Sequence, residues 1–179
     1  MRHLRLPTAA LAAVLTVMPG LAHAAQAPCL TASEFTTLST YALPSLIGGT
    51  AQRCSASLPA DSFLKINGTG LANRYAAVKP AVWPGAKAAF FKLSSGAGPD
   101  AAEMLKSLPD QTVQAMVDGF VAGRLTSGIP VERCGLIDRL LRLLSPLPPE
   151  STAEIIGLAV GLGSKAGNPQ LGKIAICKA

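Results

Sequence analysis

Residues 109–125, PDQTVQAMVDGFVAGRL, carry the clearest structural signal in the sequence. Apolar side chains recur there at steps of three and four, which places on one helical face Val113, Met116, Val117, Phe120, Val121 and Leu125. Pro109 followed by Asp110 is typical of a helix start, and Gly128 is typical of a helix end. The stretch therefore predicts an amphipathic helix.

Two further helices are predicted downstream. One runs from Pro130 to Leu144, with an i,i+4 pair of Asp138 and Arg142 and an inward stripe of Cys134, Ile137, Leu140, Leu141 and Leu144. The other begins at Ser151, because Ser151 and Glu154 have the spacing of a capping box.

The N-terminal half is predicted to be helical but interrupted. Thr31 and Glu34 form a second capping box, which opens a helix with Phe35, Leu38 and Ala42 inward. Pro44 and Gly48–Gly49 are expected to interrupt that helix, and shorter helices follow at 61–66, 71–78 and 84–93. No useful alternating strand pattern occurs. We predict an all-α fold, a single compact helical domain of about six to eight short helices, with a flexible connection at 94–99.

The first 24 residues have the order of an export signal. Arg2 and Arg5 precede the apolar run 8–17, Pro19-Gly20 breaks the helix, and Ala22 and Ala24 supply the small residues that a signal peptidase reads. We predict cleavage after Ala24, a mature domain of residues 25–179, and a periplasmic or extracellular location. The alternative is an uncleaved N-terminal anchor.

Four cysteines, Cys29, Cys54, Cys134 and Cys177, remain after cleavage. An even number in an exported chain of this size predicts two disulfides. Three pairings are open. The pairing of Cys29 with Cys54 and of Cys134 with Cys177 is preferred, because each bond then closes one continuous stretch near one end of the chain. A structural zinc site is excluded, since no two cysteines have the close spacing that such sites use.

Cleavage also removes both histidines, His3 and His23. This excludes serine–histidine and cysteine–histidine catalysis and histidine-ligated metals, so no metal or other cofactor is expected. Ser62 and Lys65 have S-x-x-K spacing, which leaves a hydrolase using that pair as one hypothesis. A carboxylate pair is a further option, with as candidates Glu103, Asp110, Asp118, Asp138 and Glu154.

Partner classes follow from charge and hydropathy. The formal net charge is +6, but basic residues are scattered among acids and aromatic residues are few, so nucleic-acid binding is excluded. No apolar stretch after the signal is long enough to span a membrane. The leucine-rich helix that carries Arg133, Arg139 and Arg142 is interpreted first as a buried leucine face with arginines at its rim. The alternative is that these three arginines form a surface for an anionic membrane or an acidic partner.

The sequence thus predicts an exported small helical protein with a non-catalytic binding or structural role, working with a periplasmic protein or an anionic membrane surface. A membrane-surface or lipid-binding protein is the main alternative, and a hydrolase using Ser62 and Lys65 is another.

Overall fold

The computed structural model describes residues 29–165 and 175–177, and most of this part of the chain is helical. Its seven α-helices are α1 (Ala32–Cys54), α2 (Phe63–Ala76), α3 (Lys79–Ser94), α4 (Pro99–Ser107), α5 (Asp110–Gly119), α6 (Cys134–Leu144) and α7 (Pro149–Lys165). A π-helical turn, Phe120–Leu125, continues α5, and short 3-10 turns lie at Ser95–Ala97 and Val131–Arg133. The all-α prediction is confirmed.

Helix α1 is the centre of the fold, with α2, α3, α7 and the π-helical turn packed around it. Its predicted capping box is present: the Thr31 hydroxyl accepts from the Glu34 N–H at 3.2 Å, and the Glu34 carboxylate accepts from the Thr31 N–H at 2.7 Å. The predicted interruption at Pro44 and Gly48–Gly49 is wrong, because the helix runs continuously to Cys54. Burial of α1 among its neighbours outweighs the local cost of these residues.

Gly49 is required by the packing of α1 against the π-helical turn. A Cβ at this position would lie 2.6 Å from the Ala122 carbonyl oxygen and 2.8 Å from a methyl of Thr126. The neighbouring Gly48 faces open space. Of these two glycines, Gly49 is therefore the one that allows α1 and the π-helical turn to approach so closely.

Several predicted boundaries shift. The predicted helices at 61–66 and 71–78 form one helix, α2, and α3 begins before Pro84 rather than at it. Helix α7 begins at Pro149, so the predicted capping box at Ser151 is wrong, and the Thr152 N–H donates instead to the Pro148 carbonyl at 3.1 Å. The helical segment that begins after Pro109 ends at Gly128, as predicted.

The core consists of three hydrophobic clusters that meet along α1. One joins α1 to α2, α6 and α7, a second joins it to α3 and α5, and a third surrounds the first residues of α1. From the predicted apolar face of 109–125, Val113, Val117 and Val121 are buried. The remaining three members are exposed, namely Met116, Phe120 and Leu125.

All four cysteines form disulfides, as predicted, but the preferred pairing is wrong. Cys54, the last residue of α1, bonds to Cys134, the first residue of α6, and Cys29 bonds to Cys177. Two short parallel strands, β1 (Cys29–Leu30) and β2 (Ala175–Ile176), bring the second pair together. The bonded cysteines are 80 and 148 residues apart in the sequence. The preferred pairing was wrong because it assumed that each disulfide closes a short stretch of chain, whereas the fold brings distant segments together.

The predicted connection at 94–99 contains the end of α3, a 3-10 turn and the first residue of α4. Gly98 has a φ of 115°, which favours glycine at this position. The flexibility of the 94–99 connection stays a prediction. The predicted signal peptide, residues 1–24, lies outside the described residues. Among the described helices, none combines the length and apolar character needed to cross a membrane.

Candidate functional site

Helix α6 is attached to the rest of the protein by one face. The Cys54–Cys134 disulfide fixes its first residue, and both sulfur-bearing residues are buried. One turn later, the Asp138 carboxylate accepts a hydrogen bond from the Leu64 N–H at 2.7 Å. Ile137 and Leu141 on the same side pack against the core. These contacts fix the rotation of the helix about its own axis.

The opposite face of α6 exposes a stripe of leucines. Leu136, Leu140 and Leu143 are 52%, 47% and 67% exposed. Their i, i+4, i+7 spacing places them side by side along the helix. The prediction that Leu140 faces inward is wrong, because Asp138 occupies the buried side that an inward Leu140 would need. Exposed leucines scattered singly need no explanation, but three on one face form a patch.

The three predicted arginines are exposed around this stripe. Arg139 is three residues from Leu136 and four from Leu143, so it borders the stripe on one side. Arg133 is the last residue of the 3-10 turn before α6. Arg142 lies farther round the helix, with its guanidinium 3.8 Å from the Asp138 carboxylate.

Two of these arginines border an open depression of the surface, which is lined by Asp138, Arg139, Arg142 and Leu143. The structure thus brings Arg139 and Arg142 together and places Arg133 apart from them. An anion in this depression would meet two guanidinium groups, one leucine side chain and the Asp138 carboxylate. The Asp138 carboxylate is occupied by the Leu64 N–H and by Arg142, which reduces its repulsion of such an anion.

Ser62 and Lys65, the S-x-x-K pair, make no hydrogen bond to each other in the structure. Ser62 is 6% exposed, and its buried hydroxyl makes no hydrogen bond within the described part of the chain. Lys65 is exposed. Ser62 occupies the N-cap position of α2 without capping it, and Asp138 supplies the acceptor for that helix start instead. Among the described residues, no basic side chain therefore hydrogen-bonds to the Ser62 hydroxyl.

Two acidic residues beside the second core cluster, Asp118 and Asp110, take part in ion pairs. Asp118 accepts from the Lys79 ammonium and from the Ser45 hydroxyl, both at 2.7 Å. The same ammonium lies 4.3 Å from the centroid of the Tyr41 ring. Burial, assisted by the Asp118 charge, raises the pKa of Tyr41 well above its ordinary value. These contacts connect α1, α3 and α5 and stabilise the fold.

Asp110 begins α5 and is held by two donors from α3. The Lys87 ammonium donates to one carboxylate oxygen, and the Trp83 indole N–H donates to the other at 2.9 Å. The hydrogen bond from Lys87, and then that from Trp83, lower the pKa of Asp110. Within residues 29–165 and 175–177, no group of three or more metal-ligating side chains has an arrangement suited to a metal ion.

Sequence reasoning missed Leu136 and Leu143 as site residues. Leucines surround most of α6, so its apolar periodicity does not select one face. Asp138 was the one residue that could have shown which side of α6 is buried. Its carboxylate faces the core because it accepts a hydrogen bond from the buried Leu64 N–H.

A comparison of the chain with protein-family models, with curated proteins and with solved structures found no match.

Proposed function

We propose that this is an exported helical binding protein with no catalytic role, which binds an anionic partner through the exposed face of α6. One observation carries the proposal: the face opposite the buried side of α6 presents Leu136, Leu140 and Leu143, with exposed arginines beside them. A contiguous apolar patch bordered by charged residues is typical of an interaction surface.

The attachment of α6 supports this role. The Cys54–Cys134 disulfide and the hydrogen bond from Leu64 to Asp138 hold the helix from its buried side. The leucine stripe is therefore presented in one orientation before a partner arrives. Pre-organisation of this kind lowers the entropy cost of binding.

Two observations support export. Residues 1–24 have the order of charged, apolar and small residues that signal peptides share. Two disulfides that pair all four cysteines are typical of proteins from oxidising compartments.

Charge favours an anionic partner over a second copy of the chain. In an α6–α6 contact, Arg133 and Arg139 of one copy would lie near the arginines of the other, which opposes self-association. The acids of this segment, Glu132 just before α6 and Asp138 beside Arg142, are outnumbered by the three arginines. The surface therefore has an excess of positive charge.

Site-specific photocrosslinking in the producing cells tests the proposal. A photoreactive residue replacing Leu140 is expected to give a defined adduct, whether protein or lipid, that disappears when Arg139→Gln and Arg142→Gln are added. The matched control replaces Met104 on α4, which is 62% exposed. Equal labelling at both positions, or an adduct of two copies of the chain, would contradict the proposal.

A further inference from the structure

We infer that the anionic partner of α6 is the headgroup region of a phospholipid bilayer, on which the helix lies parallel to the surface. This inference rests on the proposed function and specifies its partner. Leu136, Leu140 and Leu143 would enter the boundary between headgroups and acyl chains, while Arg139 and Arg142 would hold a lipid phosphate.

The shape of the surface favours a bilayer over a protein. The leucine stripe lies on the side of α6 directed away from the core, so its side chains project from the protein surface. A protein partner would need a complementary groove with positions for three leucines. A bilayer accepts projecting side chains without prior shape complementarity, and leucines with flanking arginines are typical of interfacial helices.

The length of α6 agrees with this orientation. The helix has 11 residues, which corresponds to about 16 Å. This is about half the thickness of the hydrocarbon core of a bilayer, so α6 can lie in the interface but cannot cross it. Arginines beside the stripe would remain among the headgroups, because their long side chains keep the charge in water.

The open depression beside the stripe offers a place for a lipid phosphate. Arg139 and Arg142 line it together with Leu143 and Asp138, so two guanidinium groups and an apolar side chain face the same space. The one carboxylate there is already engaged by the Leu64 N–H and by Arg142. A phospholipid has the same arrangement, with a phosphate joined to acyl chains. Because Asp138 lies 3.8 Å from Arg142 and compensates part of its charge, Arg139 is expected to contribute more to binding.

Sedimentation with vesicles tests the inference, using the exported chain with both disulfides intact. We expect binding to vesicles containing phosphatidylglycerol at low salt, weak binding to phosphatidylcholine alone, and release at high salt. Arg139→Gln is expected to weaken binding roughly five-fold, and Arg142→Gln less. Leu140→Asn is expected to weaken it roughly ten-fold.

Matched control variants test whether weaker vesicle binding comes from α6 itself. Arg124→Gln and Lys106→Gln remove the same charge from exposed positions on the π-helical turn and on α4, and Met104→Asn repeats the apolar change on α4. All three are expected to leave vesicle binding within about two-fold of the parent, apart from the general effect of net charge. The α6 variants should unfold at the same denaturant concentration as the parent, because their side chains are exposed.

The inference is overturned if the chain does not bind phosphatidylglycerol vesicles at low salt, or if the α6 variants bind like the controls. It is also overturned if soluble glycerol phosphate competes at millimolar concentration, since the site would then be a free-anion site. If vesicle binding fails but Leu140 crosslinks to a protein in cells, the proposed function stands and only the lipid inference falls. If both fail, both are wrong.

Discussion

The Asp138 carboxylate accepts a hydrogen bond from the backbone N–H of Leu64 at 2.7 Å, across 74 residues of sequence. The bond joins the first turn of α2 to the middle of α6. The Ser62 hydroxyl stands at the N-cap position of α2 but makes no capping hydrogen bond, and the Asp138 carboxylate caps the helix in its place. The orientation of α6, and so the exposure of its leucine stripe, depends on this contact.

Removing this carboxylate should destabilise the fold. Asp138→Ala leaves the buried Leu64 N–H without its acceptor, and we expect the free energy of unfolding to fall by about 2 kcal/mol in urea titrations. Asp138→Asn keeps an acceptor oxygen, so we expect a loss of about 1 kcal/mol.

Arg142→Gln is the matched control, because it removes only the ion pair of Asp138. The Arg142 side chain is 58% exposed and the pair is 3.8 Å long, so we expect a change below about 0.5 kcal/mol. If Arg142→Gln cost as much as Asp138→Ala, the ion pair rather than the cap would hold α6.

The disulfide pairing can be read directly. Peptide mapping of the non-reduced protein should recover the cysteine 54 peptide joined to that of cysteine 134, and the cysteine 29 peptide joined to that of cysteine 177. We expect the double variant Cys54→Ala/Cys134→Ala to lose about 2–5 kcal/mol of stability, because the bond closes a long loop in the unfolded chain. Recovery of Cys29 joined to Cys54 would refute the described arrangement.

Adjacent glycines in α1 should respond in opposite directions to alanine. Gly49→Ala places a Cβ against the Ala122 carbonyl, and we expect a loss of about 1–3 kcal/mol. Gly48→Ala meets no atom within 4 Å and improves helix propensity, so we expect a gain of about 0.5–1 kcal/mol. Thermal unfolding of the two variants measures both effects, and equal shifts would show that α1 does not approach the π-helical turn closely.

Acid should weaken the fold through Asp110. Its pKa in the folded chain lies below its usual 3.8, mainly through the hydrogen bond from Lys87. A lowered folded pKa means that the stabilisation is present above the unfolded pKa and is lost as pH falls through the folded value. We expect stability to decline below about pH 4, and less steeply in Asp110→Asn.

Glu103→Gln provides the comparison for that titration. Glu103 is 80% exposed in its pair with Lys106, so this variant should retain the acid dependence of the parent. If the free energy of unfolding changed with pH equally in the parent and in Asp110→Asn, the ion pair of Asp110 with Lys87 would not stabilise the folded state.

Local sequence patterns predicted the class of the fold and several helix ends. The capping box at Thr31 and the glycine at position 128 act through neighbouring residues, which is why their effects could be read from the sequence. The interruptions expected at Pro44 and between the predicted helices 61–66 and 71–78 do not occur, because burial against other helices outweighs local propensity. The disulfide pairing was likewise set by contacts between distant segments.

The candidate site was predictable only in part. The arginines could be identified because a cluster of charges on a leucine-rich helix is a local feature. Which leucines remain exposed depends on the rotation of α6, and this is set by Cys54 and Leu64 from distant parts of the chain. Periodicity alone therefore predicted Leu140 as buried, when Asp138 faces the protein instead.

The central claim is that the leucine face of α6 is a membrane-binding surface. The most direct measurement is tryptophan emission from a Leu140→Trp variant as phosphatidylglycerol vesicles are added at low salt. Trp83 is 7% exposed and packed against Tyr41, so its own emission should stay constant. We predict a blue shift for Leu140→Trp and none for Met104→Trp. No shift in either variant, or the same shift in both, would contradict the account.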